Sequence, residues 1–182
     1  MNLTKLFQIQ KELDQKIVNN KELEGWDLLP ERVLALQVEL GECANEWRGF
    51  KFWSEDQEPR RYKEKEVLIN GVVTGVDTDP LLEEYVDCLH FVLSIGLYGG
   101  FDQMNLNIGA VEGLKRKDIV TQFNYLFQKI GDFSSITNHN NYMYILPLFI
   151  GLGEMLGFTW NEIEQAYLDK NKINHERQAN GY

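Results

Sequence analysis

Hydrophobic positions recur along most of the chain in steps of three and four. Leu3, Leu6, Phe7, Gln10, Leu13 and Ile17 hold helical spacing and predict a first amphipathic helix over 3–18. Pro30 suits the first turn of a second helix, where Val33, Leu36, Leu40, Cys43 and Trp47 form an apolar stripe. Asp79-Pro80 caps a third helix that runs to about Tyr98 and ends at Gly99-Gly100. Two further helical stretches follow near 106–130 and 141–157. Thr159-Trp160-Asn161-Glu162 is a capping box opening a last helix to about Gln178. Residues 54–80 break the pattern. There Val67-Leu68-Ile69-Asn70-Gly71-Val72-Val73 sets Asn-Gly between β-branched runs, a hairpin signal centred on about 64–76. The fold class expected is all-α: one domain over 1–182, a bundle of five to six helices with a small inserted β-hairpin.

Composition narrows the function. A net charge of −10 over 182 residues argues against binding nucleic acid polymers or anionic membrane, which calls for basic patches. It leaves open a phosphate-bearing substrate, since a metal held by carboxylates bridges two negative partners. The two cysteines, Cys43 and Cys88, lie in separate apolar segments and build neither a disulfide framework nor a zinc site. No stretch reaches the ~18 apolar residues of a membrane span, and the N-terminal stretch turns polar too early for a signal peptide. A soluble, cytoplasmic protein is expected.

The chemistry is carried by acidic pairs. Glu39 and Glu42 lie three apart on the second helix, with Glu46 a turn further; Glu84 and Asp87 lie three apart on the third. Such residues share a helix face, so the two helices together offer four carboxylates, an oxygen cage suited to Mg²⁺ or Mn²⁺ rather than zinc. The plain alternative is a solvated acidic surface. Against it, Glu84 falls inside the apolar arc of its helix and Glu39 at the edge of its own, where an unpaired carboxylate is costly. On the last helix Lys170, Asn174 and Arg177 share one face that continues the stripe of Ile163, Ala166 and Tyr167. An inward face turning from apolar to cationic marks the rim of a phosphate site, the alternative being cations placed for the helix dipole.

These segments resemble the dimeric, all-α dUTPase family, related to the MazG-like nucleotide pyrophosphohydrolases. The resemblance rests on Glu39-x-x-Glu42 with Glu84-x-x-Asp87, on Leu6-Phe7-Gln8-Ile9-Gln10-Lys11-Glu12-Leu13-Asp14, on Glu84-Tyr85-Val86-Asp87-Cys88-Leu89-His90-Phe91, and on Lys170-Asn171-x-x-Asn174-x-x-Arg177-Gln178-x-x-Gly181-Tyr182. It implies hydrolysis of dUTP to dUMP and pyrophosphate by a homodimer, with dUDP as a second candidate substrate. Glu39, Glu42, Glu84 and Asp87 would bind Mg²⁺, with Glu42 and Glu39 the catalytic carboxylates. Lys170, Asn174 and Arg177 would hold phosphates, Gln10 and Asn171 would read the uracil edge, and Trp53, His90 and Phe91 would form the base and sugar pocket. Trp53 and Phe91 as plain core, and His90 as a satisfied helical histidine, are the bland alternatives. Rival functions are a pyrophosphohydrolase for dCTP or another non-standard nucleotide, and a non-catalytic helical interaction protein. The apolar segments 89–101 and 142–158 are expected to form the dimer face.

Overall fold

The computed structural model describes residues 3–69, 72–103 and 111–181. Six helices and one hairpin occur among them: α1 (Leu3–Asn20), α2 (Leu29–Trp47), β1 (Lys63–Ile69), β2 (Val72–Thr78), α3 (Pro80–Tyr98), α4 (Ile119–Ser135), α5 (His139–Met155) and α6 (Trp160–Ala179), with a single 3-10 turn at Phe101–Gln103. The all-α class and the inserted hairpin expected from the sequence are what the chain adopts.

α3, α4, α5 and α6 each begin where a side chain satisfies a free N–H group. Asp79 accepts from Leu82 N at 3.0 Å ahead of Pro80, Asp118 from Thr121 N and Asn138 from Asn141 N. Thr159 and Glu162 close a reciprocal capping box on α6. α2 ends differently. Arg48 adopts a left-handed φ of 64°, unusual outside glycine, and its buried guanidinium holds the following loop through the Asp56 carbonyl (2.7 Å) and carboxylate (3.2 Å).

α3 is the axis of the bundle, buried along Leu81, Tyr85, Cys88, Leu89, Val92 and Leu93, and it packs against α1, α2, α5 and α6. α4 pairs with α5 and touches α2. α1 and α6 lie side by side. Lys5 Nζ donates to Glu164 (3.0 Å), Lys16 Nζ to the His175 carbonyl (3.0 Å) and Asn20 to the Gln178 carbonyl (3.3 Å). Partner numbers rise together along these three ties, so the two helices run parallel.

The hairpin is antiparallel, with Lys63 opposite Thr78 and Ile69 opposite Val72. The expected Asn70-Gly71 turn lies outside the described residues. Its base is tied down: Arg60 N–H donates to the Glu46 carbonyl (3.0 Å), Leu81 N–H to the Arg60 carbonyl (3.1 Å), and Arg61 pairs with Asp79 (2.6 Å).

Two expectations need correction. The helix foreseen over 106–130 starts only at Ile119 and runs on to Ser135; residues 111–118 are not helical, and 104–110 lie outside the described residues. That irregular piece is bound to its neighbours instead. Leu114 N–H donates to the Pro147 carbonyl, and buried Gln122 donates to the carbonyls of Leu114 and Leu148 while accepting from Arg116 N–H. Gly151 permits the approach, since a Cβ there would meet the Leu114 carbonyl oxygen at 2.3 Å. Nor do 89–101 and 142–158 form an open apolar face. Leu89, Val92, Leu93, Ile145, Phe149 and Leu152 are buried within this chain. Among the described residues no single helix is long and apolar enough to cross a membrane.

Candidate active site

The second and third helices bring their acidic pairs together. Glu39 and Glu84, half-buried, and Glu42, exposed, each offer a carboxylate oxygen, and these oxygens lie within 4.8 Å of one another. Such crowding is unfavourable to charge. Burial first, then the neighbouring Asp87, Glu42 and Glu39, push the Glu84 carboxyl up to about 7 from its ordinary 4.5. Burial and the charges of Asp87 and Glu42 raise Glu39 as well. No cation on α2 relieves them: Arg32 lies 3.7 Å from Asp14, and Arg48 serves Asp56. Glu46, a turn beyond, pairs with Arg60 at 3.1 Å. A set of carboxylate oxygens converging from two helices, with one held near neutrality by its neighbours, fits a hard divalent cation.

Asp87 is placed differently from the other three. Its carboxylate bonds the ammonium of Lys170 on α6. Burial raises Asp87, and the Lys170 bond and charge pull against that. Lys170 therefore joins the carboxylates of α3 to the cationic row of α6.

A cavity of about 200 Å³ opens beside this pair. Glu39, Asp87, Lys170, Asn174 and Arg177 wall it, as do Gln10, Asp14, His90 and Ser94, with Leu13, Ile17 and Phe91 as apolar surface. Asp87, His90 and Ser94 follow one another up a single face of α3. Seven residues of helix separate the first from the last, about 10 Å, so one wall carries a charged end and a hydrogen-bonding end.

The hydrogen-bonding end is a closed network. The buried Gln10 oxygen accepts from Tyr167 Oη and meets His90 Nδ1, both at 2.7 Å, while its Nε2 donates to Asp14 at 2.7 Å. Ser94 Oγ donates to the other Asp14 oxygen at 2.6 Å. An amide oxygen only accepts, so His90 Nδ1 carries the proton. Burial, with the Lys170 charge adding to it, pushes His90 down to about 3, so the ring is neutral. It stacks on Tyr167 with ring centres 4.2 Å apart. Its Nε2 is then a bare acceptor, buried and without a partner among the described residues.

Most of the residues singled out from the sequence meet here: Glu39, Glu42, Glu84, Asp87, Lys170, Asn174, Arg177, Gln10, His90 and Phe91. Asn171 does not wall the cavity. It is buried one turn after Tyr167, and its Nδ2 has no partner among the described residues. Trp53 is not brought to the cavity either. It is 66% exposed and meets Phe50 and Phe52 edge-on in the loop after α2. Asp14, Ser94 and Tyr167 were not singled out as site residues. Their signal was present as polar atoms at helical spacing from Gln10, His90 and Ile163 on apolar faces.

Compared with known proteins, the chain matches a family model described as dUTPase over residues 2–182. No curated protein matches it.

Proposed function

The chain belongs to the all-α dUTPase family and is a dUTP diphosphatase, and from that premise we propose how its residues divide the work. Glu39, Glu42, Glu84 and Asp87 hold Mg²⁺, or Mn²⁺ in its place. What carries this reading is the convergence of three carboxylate oxygens within 4.8 Å next to a cavity walled by Lys170, Asn174 and Arg177. The bound ion supplies charge neutralisation for the triphosphate and acidifies a coordinated water.

The protein's own groups do the rest. Glu42, the exposed member of the trio, orients the attacking water and takes its proton. Lys170 and Arg177 stabilise charge that develops on the departing pyrophosphate, and Asn174 adds amide donors. Toward the other end of α3, His90 Nε2 accepts from the N3–H of uracil, while Gln10 holds the imidazole in the tautomer that allows it. Cytosine carries a lone pair at N3 and would face the Nε2 lone pair. Asn171 Nδ2 is a buried donor suited to a base carbonyl. The reading of Gln10 thus shifts from the base itself to the residue that orients the reader. Phe91 gives the base an apolar wall.

A pyrophosphate-release panel over dUTP, dCTP, dTTP and UTP tests the function. Turnover is expected for dUTP with Mg²⁺ and none with chelator. Preference for dCTP would transfer the chain to the rival nucleotide. Glu84 must be ionised to ligate, so the Mg²⁺ concentration giving half-maximal rate is expected to rise as pH falls through about 7. A half-saturation that is flat between pH 6 and 8 would separate Glu84 from the metal.

A homodimer is the proposed assembly, through surface other than the two apolar segments. Leu34 (61% exposed) and Val38 (49%) stand one turn apart on α2. Exposed apolar pairs on a helix face mark contact surfaces. Light scattering is expected to give twice the chain mass at micromolar concentration, and Leu34→Glu/Val38→Glu to halve it. A monomeric parent protein would end the dimer reading.

A further inference from the structure

Two more hollows flank the site, one walled by Glu84 and the other by Lys170, the partner of Asp87, and the hairpin walls both. One, about 610 Å³, lies between Glu84 and the segment carrying Arg60, Lys63 and Lys65. The other, about 370 Å³, extends from Lys65 to Lys170 and Arg177. Lys65 is common to the two.

Side chains alternate along a strand. Lys63 and Lys65 therefore share one face of β1, and Glu64 and Glu66 share the other. The register sets Thr78 and Val76 opposite the lysines and Asp77 opposite Glu64, so the hairpin sorts its charges by face. Lys63 and Lys65, with Thr78, wall the hollow beside Glu84; Glu64 and Glu66 wall neither hollow, and Asp77 alone of the hairpin's acidic residues reaches one, the hollow that runs to Lys170. Lysines that only protect a sheet edge from pairing have no reason to keep to the face nearest the carboxylates.

The neighbouring cations already have partners. Lys170 pairs with Asp87, Arg60 with Glu46, and Arg61 with Asp79 and Glu162. Among the described residues no carboxylate lies within ion-pair distance of Lys63 or Lys65. Arg60 and Arg61 fix the strand root to α2 and α3, so the two ammonium groups stand on an anchored base. Lysine is a point charge well suited to phosphate. In a chain of net charge −10, a polyanion brought to a carboxylate trio needs cations around its remaining oxygens.

Resting on the reading of the cleft as the dUTP site, we propose that Lys65, with Lys63 beside it, holds the pyrophosphate end of the triphosphate. The test uses the full chain with Mg²⁺ and measures competitive inhibition by inorganic pyrophosphate and by dUMP. Lys65→Ala is expected to raise the pyrophosphate inhibition constant about 10-fold, the loss of one charge-assisted hydrogen bond, Lys63→Ala/Lys65→Ala to raise it further, and both to raise KM for dUTP. The dUMP constant is expected to stay put. Lys65→Arg keeps the charge and is expected to keep most of the pyrophosphate binding; Glu66→Gln, on the opposite face, is expected to change neither constant. An unchanged pyrophosphate constant in the double variant, with the parent hydrolysing dUTP, overturns the hairpin's role and leaves the cleft reading intact. Equal weakening of dUMP and pyrophosphate overturns it as well. A parent inhibited by neither product overturns the cleft reading and this inference together.

Discussion

Glu84→Gln is expected to lower dUTP turnover by on the order of 10³-fold or more while leaving the helical circular dichroism unchanged. Its oxygen faces those of Glu39 and Glu42, so the amide removes a ligand charge without removing packing. The same substitution is expected to stabilise the metal-free protein. The carboxyl is pushed up to about 7 from 4.5, which means that the folded state binds this proton more tightly than the unfolded one. The contribution to stability is full below about 4.5 and is lost as pH rises through about 7. In chelator at pH 8, Glu84→Gln should therefore have the higher Tm, and the gap should shrink as pH is lowered through 7. Saturating Mg²⁺ should reverse the order, because the parent, with one more ligand, gains more binding energy. Near-parental turnover in Glu84→Gln, or a lower Tm in chelator at pH 8, would remove Glu84 from the metal site.

His90→Phe is expected to change selectivity rather than phosphate chemistry. Phenylalanine keeps the ring that stacks on Tyr167 and deletes the buried Nε2 acceptor. The uracil N3–H then loses its partner, and kcat/KM for dUTP should fall roughly 10–100-fold, on the order of one buried hydrogen bond. The penalty against cytosine disappears with the same atom, so the dUTP/dCTP ratio should fall with it. Lys170→Ala provides the contrast: a cation that meets phosphate carries no base information, and both nucleotides should lose by a similar factor. A dUTP/dCTP ratio left unchanged by His90→Phe would take the histidine out of the base site. A ratio altered by Lys170→Ala would mean that this part of α6 reaches the base.

What the sequence made legible was whatever repeats or caps locally. The stripe of Val33, Leu36, Leu40 and Cys43, the Asp79-Pro80 start and the Thr159 capping box each involve residues within one or two helical turns, and each sits where its spacing put it. The acidic trio was legible for the same reason, since the i, i+3 rule fixes which carboxylates share a face. What was not legible depends on which elements become neighbours. Residues 111–118 carry helix-forming side chains yet are not helical, because Gln122 and the Pro147 carbonyl bind their backbone. Asp87 was grouped with the trio, but its closest tie is to Lys170, 83 residues away. Gln10 was read as facing a base; its amide is engaged by Asp14 one turn along α1 and by His90 and Tyr167, on two helices that only the fold brings there. The two apolar segments were indistinguishable in composition from an interface, and α3 and α5 turned out to be the interior.

The parallel pairing of α1 with α6 has a consequence for the newly made chain. Lys5 and its partner Glu164 are 159 residues apart, so at the usual pace of synthesis α1 leaves the ribosome roughly 8–30 s before the helix that covers it. Throughout that interval Gln10 lacks Tyr167, and α1 has α3 but not α6 to cover it, so the nascent protein presents part of an apolar ridge to chaperones. Premature termination or clipping before Tyr167 would strip Lys170, Asn174 and Arg177 from the cavity and uncover the α6 side of α1 in one stroke. Shortened chains should therefore fail at translation and quality control, well before any defect in turnover could be measured.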